Sequence, residues 1–593
     1  MQKSKLALAG MAVLSVVTLA ACSNGGSNGS ADKTVKLPKT YNNTKKAQKG
    51  GTLKIAEVND APFQGITDPA LASNAEDQDV FAPMQQDLMN FDNNHKFVDG
   101  GPANLKIDKS AKTVTITLRD NLKWSDGKPV TAKDVEYAQE VVGSPDSTSQ
   151  QYSDSMGEMV GMDAFHSGKA KTISGISMPD GENGKKVVMH FKHMAPGMQY
   201  SGQSFFWEYA EPYHQIKNIP IAKLASSAAE RKNPVTYAPY TLKKVVAGES
   251  TTFVPNKYYW GSKPKIDNVT FQVVSTSAIQ QALKSHKYDF ASGGLPSAKY
   301  PQIKKTSGYK VVGARSRSLG YFGFNLGHFD TKSGKNVMDS NMKMSNKSLR
   351  QAMGYALNLD EINKKFGNGL QERATTLLPK YFSQFHDKSA KGFPLNIKKA
   401  NKLLDDAGYK KHGKYRQTPD GKPLVIKVAA MKGSSVLQAE EDDYMQQWRK
   451  IGLNVKYVSG KPMEMNSFYS MLQAPKSNKY DVFEAAWSLG TEPSQQQGYG
   501  EGSQFNMGHF VTKKNTELLT NIDSAKAFNT SYRKQQFNKW QEYMNQQAAY
   551  IPDSEGIGYN MINKRVKNYT LNPKDSNEQF AKLALTSNSL ATK

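Results

Sequence analysis

Strand-like and helix-like runs alternate along this chain from Gly51 almost to its end, and that alternation limits the fold more than any other feature. Thr52-Leu53-Lys54-Ile55-Ala56 alternates with the period of a half-buried strand. Glu76 to Phe91 follows with Val80, Phe81, Met84, Leu88 and Phe91 at helical spacing. Thr113 to Leu118 is rich in β-branched residues. Thr131-Ala132-Lys133-Asp134 reads as a capping box opening a helix to about Val142. Further strands are expected at Pro239–Leu242, Thr251–Val254, Val269–Val274 and Tyr288–Phe290, with a short helix at Ala278–Lys284. Tyr321–Leu326 reads as a strand. Asn346 then caps a helix expected to run to Gly367, and Asn396 caps one closed by Gly408. Strands at Val425–Val428 and Leu453–Val458 flank a helix holding Trp448. A strand at Tyr480–Phe483, a helix at Tyr532–Gln547 and a strand at Gly558–Ile562 complete the series. Such alternation gives α/β layers, and 593 residues suffice for two or more lobes.

The N-terminus bears on compartment. Lys3 and Lys5 precede an uncharged run from Leu6 to Ala21, the pattern of an export signal. It ends in Leu19-Ala20-Ala21-Cys22, which matches the bacterial lipobox. Residues 1–21 are therefore expected to be a lipoprotein signal peptide, and Cys22, the only cysteine, the lipid attachment. Ser23 to Ser30 reads SNGGSNGS, and residues 22–49 are expected to form a flexible tether. The expected location is the extracellular face of a bacterial cell membrane.

Composition excludes several classes. One cysteine permits no disulfide within the chain. Apolar residues at 38% exclude a disordered chain. The formal charge of +25 is spread along the chain, which favours a generally basic surface over a nucleic-acid arm. Seven Gly-Lys pairs occur and none is followed by Ser or Thr, so no phosphate-binding loop of the Walker type exists. Gly25-Gly26-Ser27-Asn28-Gly29 has the spacing of a hydrolase elbow but lacks the strand and helix that the elbow needs. His190 and His193 could share a helix face, although a surface pair beside a β-rich run fits better. Met156, Met159 and Met162 at helical spacing suit packing better than a soft-metal site. No cofactor, metal site or catalytic residue is expected.

Several segments resemble the peptide- and nickel-binding class of ABC solute-binding proteins. Val114–Val135, VTITLRDNLKWSDGKPVTAKDV, is similar to its signature. So are Tyr258-Tyr259-Trp260-Gly261 with Lys263-Pro264, Tyr321–Asn325 with Leu349–Ala352 and Tyr355–Asn358, Lys399–Tyr409, and Asp481–Phe483 with Trp487. They occur in the family's order from Gly51 onward, nearest to the oligopeptide-binding lipoproteins of lactic-acid-type Gram-positive bacteria. The resemblance implies an α/β, two-lobe periplasmic-binding-protein type II fold with hinge strands. Lobe I would comprise residues 50–319 and 551–593, with a subdomain at about 91–195, and lobe II residues 320–550. The hinge strands would lie near Ser318–Leu326 and Pro552–Asn560.

The resemblance also implies a monomeric binding protein rather than an enzyme, one that passes oligopeptides to ABC permease subunits driven by separate ATPase subunits. A cleft that accepts many peptides must grip the backbone, as strand addition does. By analogy the grip falls on Ala61–Gln64, on Ala485-Ala486-Trp487 and around Tyr559. Phe63, Trp487, Tyr499 and Phe505 could line pockets or pack in the core. Many relatives carry an Asp three residues after this Trp, for the peptide ammonium; here that position is Gly490. Either Glu492 takes the ammonium over or the terminus is not fixed. A pheromone, nickel or sugar receptor on the same scaffold, or an exported peptidase, are the rival readings.

Overall fold

The computed structural model describes residues 34–433, 435–474 and 478–593. The expected signal peptide, Cys22 and the Gly/Ser run lie outside the described residues. Among these residues an eleven-stranded sheet runs through the molecule. Its strands are β1 (Thr52–Val58), β2 (Tyr240–Val246), β3 (Ser250–Pro255), β4 (Asn268–Val274), β5 (Phe290–Gly293), β6 (Tyr309–Phe324), β7 (Gln371–Glu372), β8 (Val425–Ala429), β9 (Asn454–Tyr457), β10 (Val482–Ser488) and β11 (Tyr550–Asn563). The spatial order is β9-β8-β10-β6-β11-β5-β1-β4-β3-β2, with β7 on β11.

The pairing explains the two lobes. In lobe I, β1 lies parallel to β4 and β5. In lobe II, β8 lies parallel to β9 and β10. Only the long antiparallel pair β6/β11 joins these two parallel units. At about 3.3 Å per residue, a strand the length of β6 reaches from one lobe into the other. Its register with β11 breaks between Arg315, opposite Ile557, and Leu319, opposite Glu555. Ser316, Arg317 and Ser318 thus face Gly556 alone, a bulge that bends the pair. The strands expected near Ser318–Leu326 and Pro552–Asn560 fall on β6 and β11, which both extend further into lobe I.

Each unit has its own core. Lobe II packs Phe322, Trp448, Phe483, Phe537 and Trp540 together. Trp448 donates from Nε1 to the Met353 carbonyl at 2.9 Å, which satisfies its one buried polar group. The lobe I sheet is covered by clusters around Phe81, Phe253 and Phe271 on one side and Tyr288, Tyr300 and Tyr559 on the other. A further core draws on residues from Ile66 to Tyr237, a wider span than 91–195. It holds a four-stranded sheet of Ala103–Asp108, Thr113–Leu118, Lys186–His190 and Ile176–Ser177. Met156, Met159 and Met162 are all buried there. His190 lies on a strand, and His193 is exposed beside Glu158, so the two share no helix face.

Local signals explain where helices begin and stop. Helix α1 spans Ala75–Phe81, not residues 76–91, because Pro83 cannot continue it and a 3₁₀ turn at Ala82–Met84 follows. The capping box opens α2 (Ala132–Gly143). The Asp134 carboxylate accepts from Thr131 N at 2.8 Å and from Trp124 Nε1 at 3.1 Å. The helix expected from Asn346 to Gly367 is two helices, α3 (Lys347–Tyr355) and α4 (Leu359–Gly367). Asn358 divides them by capping α4, its side chain accepting from Glu361 N. Helix α5 spans Thr530–Gln547.

The tether expected over residues 22–49 is corrected from Thr34 onward. Val35 N donates to the Gly369 carbonyl, Gly313 N to the Pro38 carbonyl, and Leu571 N to the Lys39 carbonyl, at 2.8–2.9 Å. Thr40–Tyr41 pairs with Tyr569–Thr570. Main-chain pairing holds this polar segment where side-chain pattern gave no sign of a core.

Candidate functional site

Strand β10 reaches the cleft with one edge open. Along its whole length it pairs with β6, Ser318 opposite Ser488 through Phe324 opposite Val482. On its other edge only Val482 and Phe483 meet β8. Among the described residues no strand covers that edge from Glu484 to Ser488. An uncovered edge carries main-chain donors and acceptors that an added strand can satisfy. Ala485 and Ala486 leave room for another backbone to approach. Trp487 is half-buried and meets Phe505 edge to face at 5.1 Å. Both rings pack on the margin of the lobe II core, so part of each faces outward.

The other expected site residues separate into two groups. Ala61 and Gln64 are exposed in the loop after β1. Asn59 Oδ1 accepts from Ala61 N at 3.0 Å, and the Gln64 carbonyl accepts from Arg231 Nη1 at 2.9 Å. Phe63, Tyr499 and Tyr559, in contrast, are buried in the core clusters. Phe63 packs edge-on against Phe81 at 5.9 Å. Tyr499 lies between Trp540 and Tyr550, at 5.3 and 5.1 Å. Tyr559 meets Tyr300 at 4.9 Å and donates its hydroxyl to the Pro296 carbonyl. In each case burial of a large ring outweighs presentation to the cleft.

Glu492 also needs correction, because its carboxylate already has partners. Oε1 accepts from Arg533 Nη2 at 2.6 Å, and Oε2 accepts from Ser494 N at 2.8 Å. Arg533 bonds Asp523 as well, at 3.0 Å. Its guanidinium lies over the rings of Tyr200, Phe385 and Phe537, at 5.5–5.6 Å. Both carboxylate oxygens of Glu492 are thus occupied by protein donors, while the two carboxylates on one guanidinium keep a net negative charge. Arg533 is 41 residues further on, in α5, and nothing in the local pattern joins the two.

Tyr200 in that stack belongs to the N-terminal side of the cleft, so the same cation helps to seat one lobe on the other. The seam has further contacts. His95 Nε2 and the Tyr381 hydroxyl are 2.6 Å apart. Thr491 Oγ1 donates to the Ser201 carbonyl at 2.5 Å. Lys109 lies over the Phe528 ring at 5.3 Å. Sequence reasoning found none of these residues; each is an ordinary polar or aromatic side chain until the fold opposes it to its partner.

Burial dominates the electrostatics. It pushes Glu440 up to about 7 and Glu441 and Asp553 to about 8, and it also raises Glu484 well above the usual carboxylate range. In lobe I it pushes Glu57 and Glu230 to about 8 and Asp79 to about 7. Asp68, Glu211 and Glu230 bring their oxygens within 4.8 Å of one another, the one such acidic group among the described residues able to hold a metal. A carboxyl whose folded value exceeds its unfolded value stabilises the fold fully below about pH 4 and loses that contribution as pH rises toward 8. His95 and His509, both lowered to about 4 by burial, act oppositely between about pH 4 and 6.5. The carboxyls outnumber the histidines. The melting temperature is therefore expected to be lower at pH 8.5 than at pH 5.5, and calorimetry showing a higher one would contradict this balance.

Comparison with known proteins places this geometry in context. The model of the bacterial extracellular solute-binding proteins, family 5, matches residues 68–508. The oligopeptide-binding protein OppA of Lactococcus lactis subsp. cremoris (strain SK11) is 41% identical over 607 aligned residues, covering 100% of both chains. The structure of lactococcal OppA complexed with an endogenous peptide in the closed conformation superposes with a TM-score of 0.77. It is 41% identical, and the match covers 90% of this chain and 100% of that one. NikZ from Campylobacter jejuni in complex with Ni(L-His) shares the fold alone, with a TM-score of 0.65 and 21% identity over 90% of this chain and 99% of that one.

Proposed function

From the premise that the chain belongs to the bacterial extracellular solute-binding proteins, family 5, we propose that it captures oligopeptides between its lobes by their backbones and delivers them to an ABC importer. The family is one of substrate-binding proteins, so the chain binds its ligand and is not an enzyme. The open edge of β10 carries the proposal. A peptide lying along residues 484–488 adds a strand, and its amides take the hydrogen bonds that β8 leaves unmade. Backbone bonding is indifferent to side chains, which suits a broad ligand range. Trp487 and Phe505 add apolar area for a side chain beside that edge. The bulge at Ser316–Ser318 is where the two lobes bend together.

Glu492 leaves the peptide amine unassigned in this reading, because Arg533 and the Ser494 amide occupy both of its oxygens. Peptides with free and acetylated N-termini should therefore bind alike. Permease subunits with separate ATPase subunits would take the ligand onward, and the receptor would act as a monomer without nucleic acid. Intact peptides released by acid from the freshly purified chain, and identified by mass spectrometry, would support the reading. A metal chelate or a sugar in their place, or cleaved fragments of added peptides, would overturn it.

Cys22 would carry the lipid that holds the receptor on the outer face of the cell membrane. Two or three acyl chains suffice for a stable anchor, at about 0.8 kcal/mol per buried methylene. Replacing Cys22 by Ala should move the protein from the membrane fraction into the medium. Retention in the membrane would refute the anchor.

A further inference from the structure

A cavity of about 510 Å³ beside the hinge has a basic lining that the peptide-backbone grip leaves unused. Arg315 enters it from the bulged part of β6, and Arg373, Lys380, His386, Lys388 and Lys391 enter from the segment after β7. Tyr381, next to Lys380, is the residue that meets His95 across the seam. The cavity thus borders both the hinge and the lobe contact.

The acids nearby do not balance these cations. Glu372 is bonded by Arg315 and Lys380, and Glu555 by Lys380 at 2.9 Å. Burial opposes the charge of Glu372, but those two partners hold its carboxyl below the usual range. Arg373 pairs with Asp360 at 3.0 Å. Asp387 turns its carboxylate to Ser389. Five permanent cations line or edge this space against four acids, Asp387 included, so one positive charge remains over, and among the described residues neither Lys388 nor Lys391 has an ion-pair partner.

We propose that this cavity takes a carboxylate carried by the bound peptide, either an acidic side chain or a free C-terminus, so that the receptor favours anionic peptides. The inference rests on the peptide-binding reading. Several cations that converge on one solvent-filled space bind an anion with charge-assisted hydrogen bonds, and Arg315 can offer two parallel donors. Lys388 and Lys391 would supply the charge that no protein acid neutralises.

The test compares three N-acetylated peptides of equal length on the mature chain by calorimetry. One is neutral and C-amidated, one is C-amidated with a single Glu, and one is neutral with a free C-terminus. At least one carboxylate peptide should bind about tenfold more tightly than the neutral amide, and which one identifies the source. The variant Lys388→Gln/Lys391→Gln should reduce that preference to about twofold and leave the neutral amide unchanged. Lys410→Gln/Lys411→Gln removes the same charge from exposed positions outside the cavity and should preserve it. Equal affinity for all three peptides, or an equal loss in both variants, would overturn the inference. Failure of the neutral amide to bind at all would instead count against the peptide-binding reading.

Discussion

Replacing Arg533 by Met should lower the stability of the chain by about 3–5 kcal/mol in urea unfolding, the largest loss expected from any single side chain on the seam. Arg533 has 1% of its side chain exposed, and Glu492 has 11%. Two carboxylates bind this one guanidinium, and three aromatic rings surround it. Burial pushes Asp523 up to about 6 even with the cation in place. Removing the cation leaves two carboxylates close together with little water. The triple variant Arg533→Met/Glu492→Gln/Asp523→Asn should regain much of the loss, because no buried charge then stands alone. A loss under about 1 kcal/mol in the single variant would show that the pair is solvated and the seam is not built on it.

The second large effect concerns closure rather than folding. Gly202 has φ of +73°, and a β-carbon placed on it would lie 2.0 Å from Thr491 Oγ1, across the cleft. Gly202→Val should therefore hold the lobes apart. Peptide affinity should fall by about 100-fold, equivalent to about 2.7 kcal/mol lost from the closed state. The peptide-induced decrease in radius of gyration, seen by X-ray scattering, should disappear. Gly181 has φ of +79° with no atom within 4 Å of such a carbon. Gly181→Val thus carries similar backbone strain without the clash and should bind peptide normally. Equal losses in both variants would assign the effect to strain and remove the seam from the mechanism.

How much of this was legible in sequence depends on the range over which each signal acts. Caps are local, and Asn346, Asn396 and Asp134 were readable from their neighbours. Pro83 and Asn358 were equally local, yet the apolar periodicity running through them masked the break. The α/β alternation followed from β-rich runs separated by helical ones, whereas the hinge pair β6/β11 was reached only through the family resemblance and is longer than the local runs indicated. The site was less accessible. An aromatic ring gives the same signal whether it packs or faces a ligand, so Trp487 and Phe505 could not be told from Phe63, Tyr499 and Tyr559. Glu492 suggested a free carboxylate only because Arg533 is far away in the chain. The docking of residues 34–49 depends on main-chain bonds to Gly369, Gly313 and Leu571, to which side-chain pattern is blind.

These contacts give the cleft two separable tasks. In the proposed reading, seam residues such as His95, Tyr381, Ser201 and Thr491 would set whether the lobes meet, while the edge of β10 would hold the peptide backbone between them.

N-methylation of the ligand backbone separates that grip from side-chain recognition. Two sets of one peptide would be titrated against the mature chain, one methylated in turn at each amide nitrogen and the other scrambled in sequence at constant composition. Alternate methylated positions should each cost about tenfold or more in affinity, since a strand bonds its neighbour through every second residue, and scrambling should cost little. Full tolerance of methylation together with a large penalty for scrambling would contradict the account.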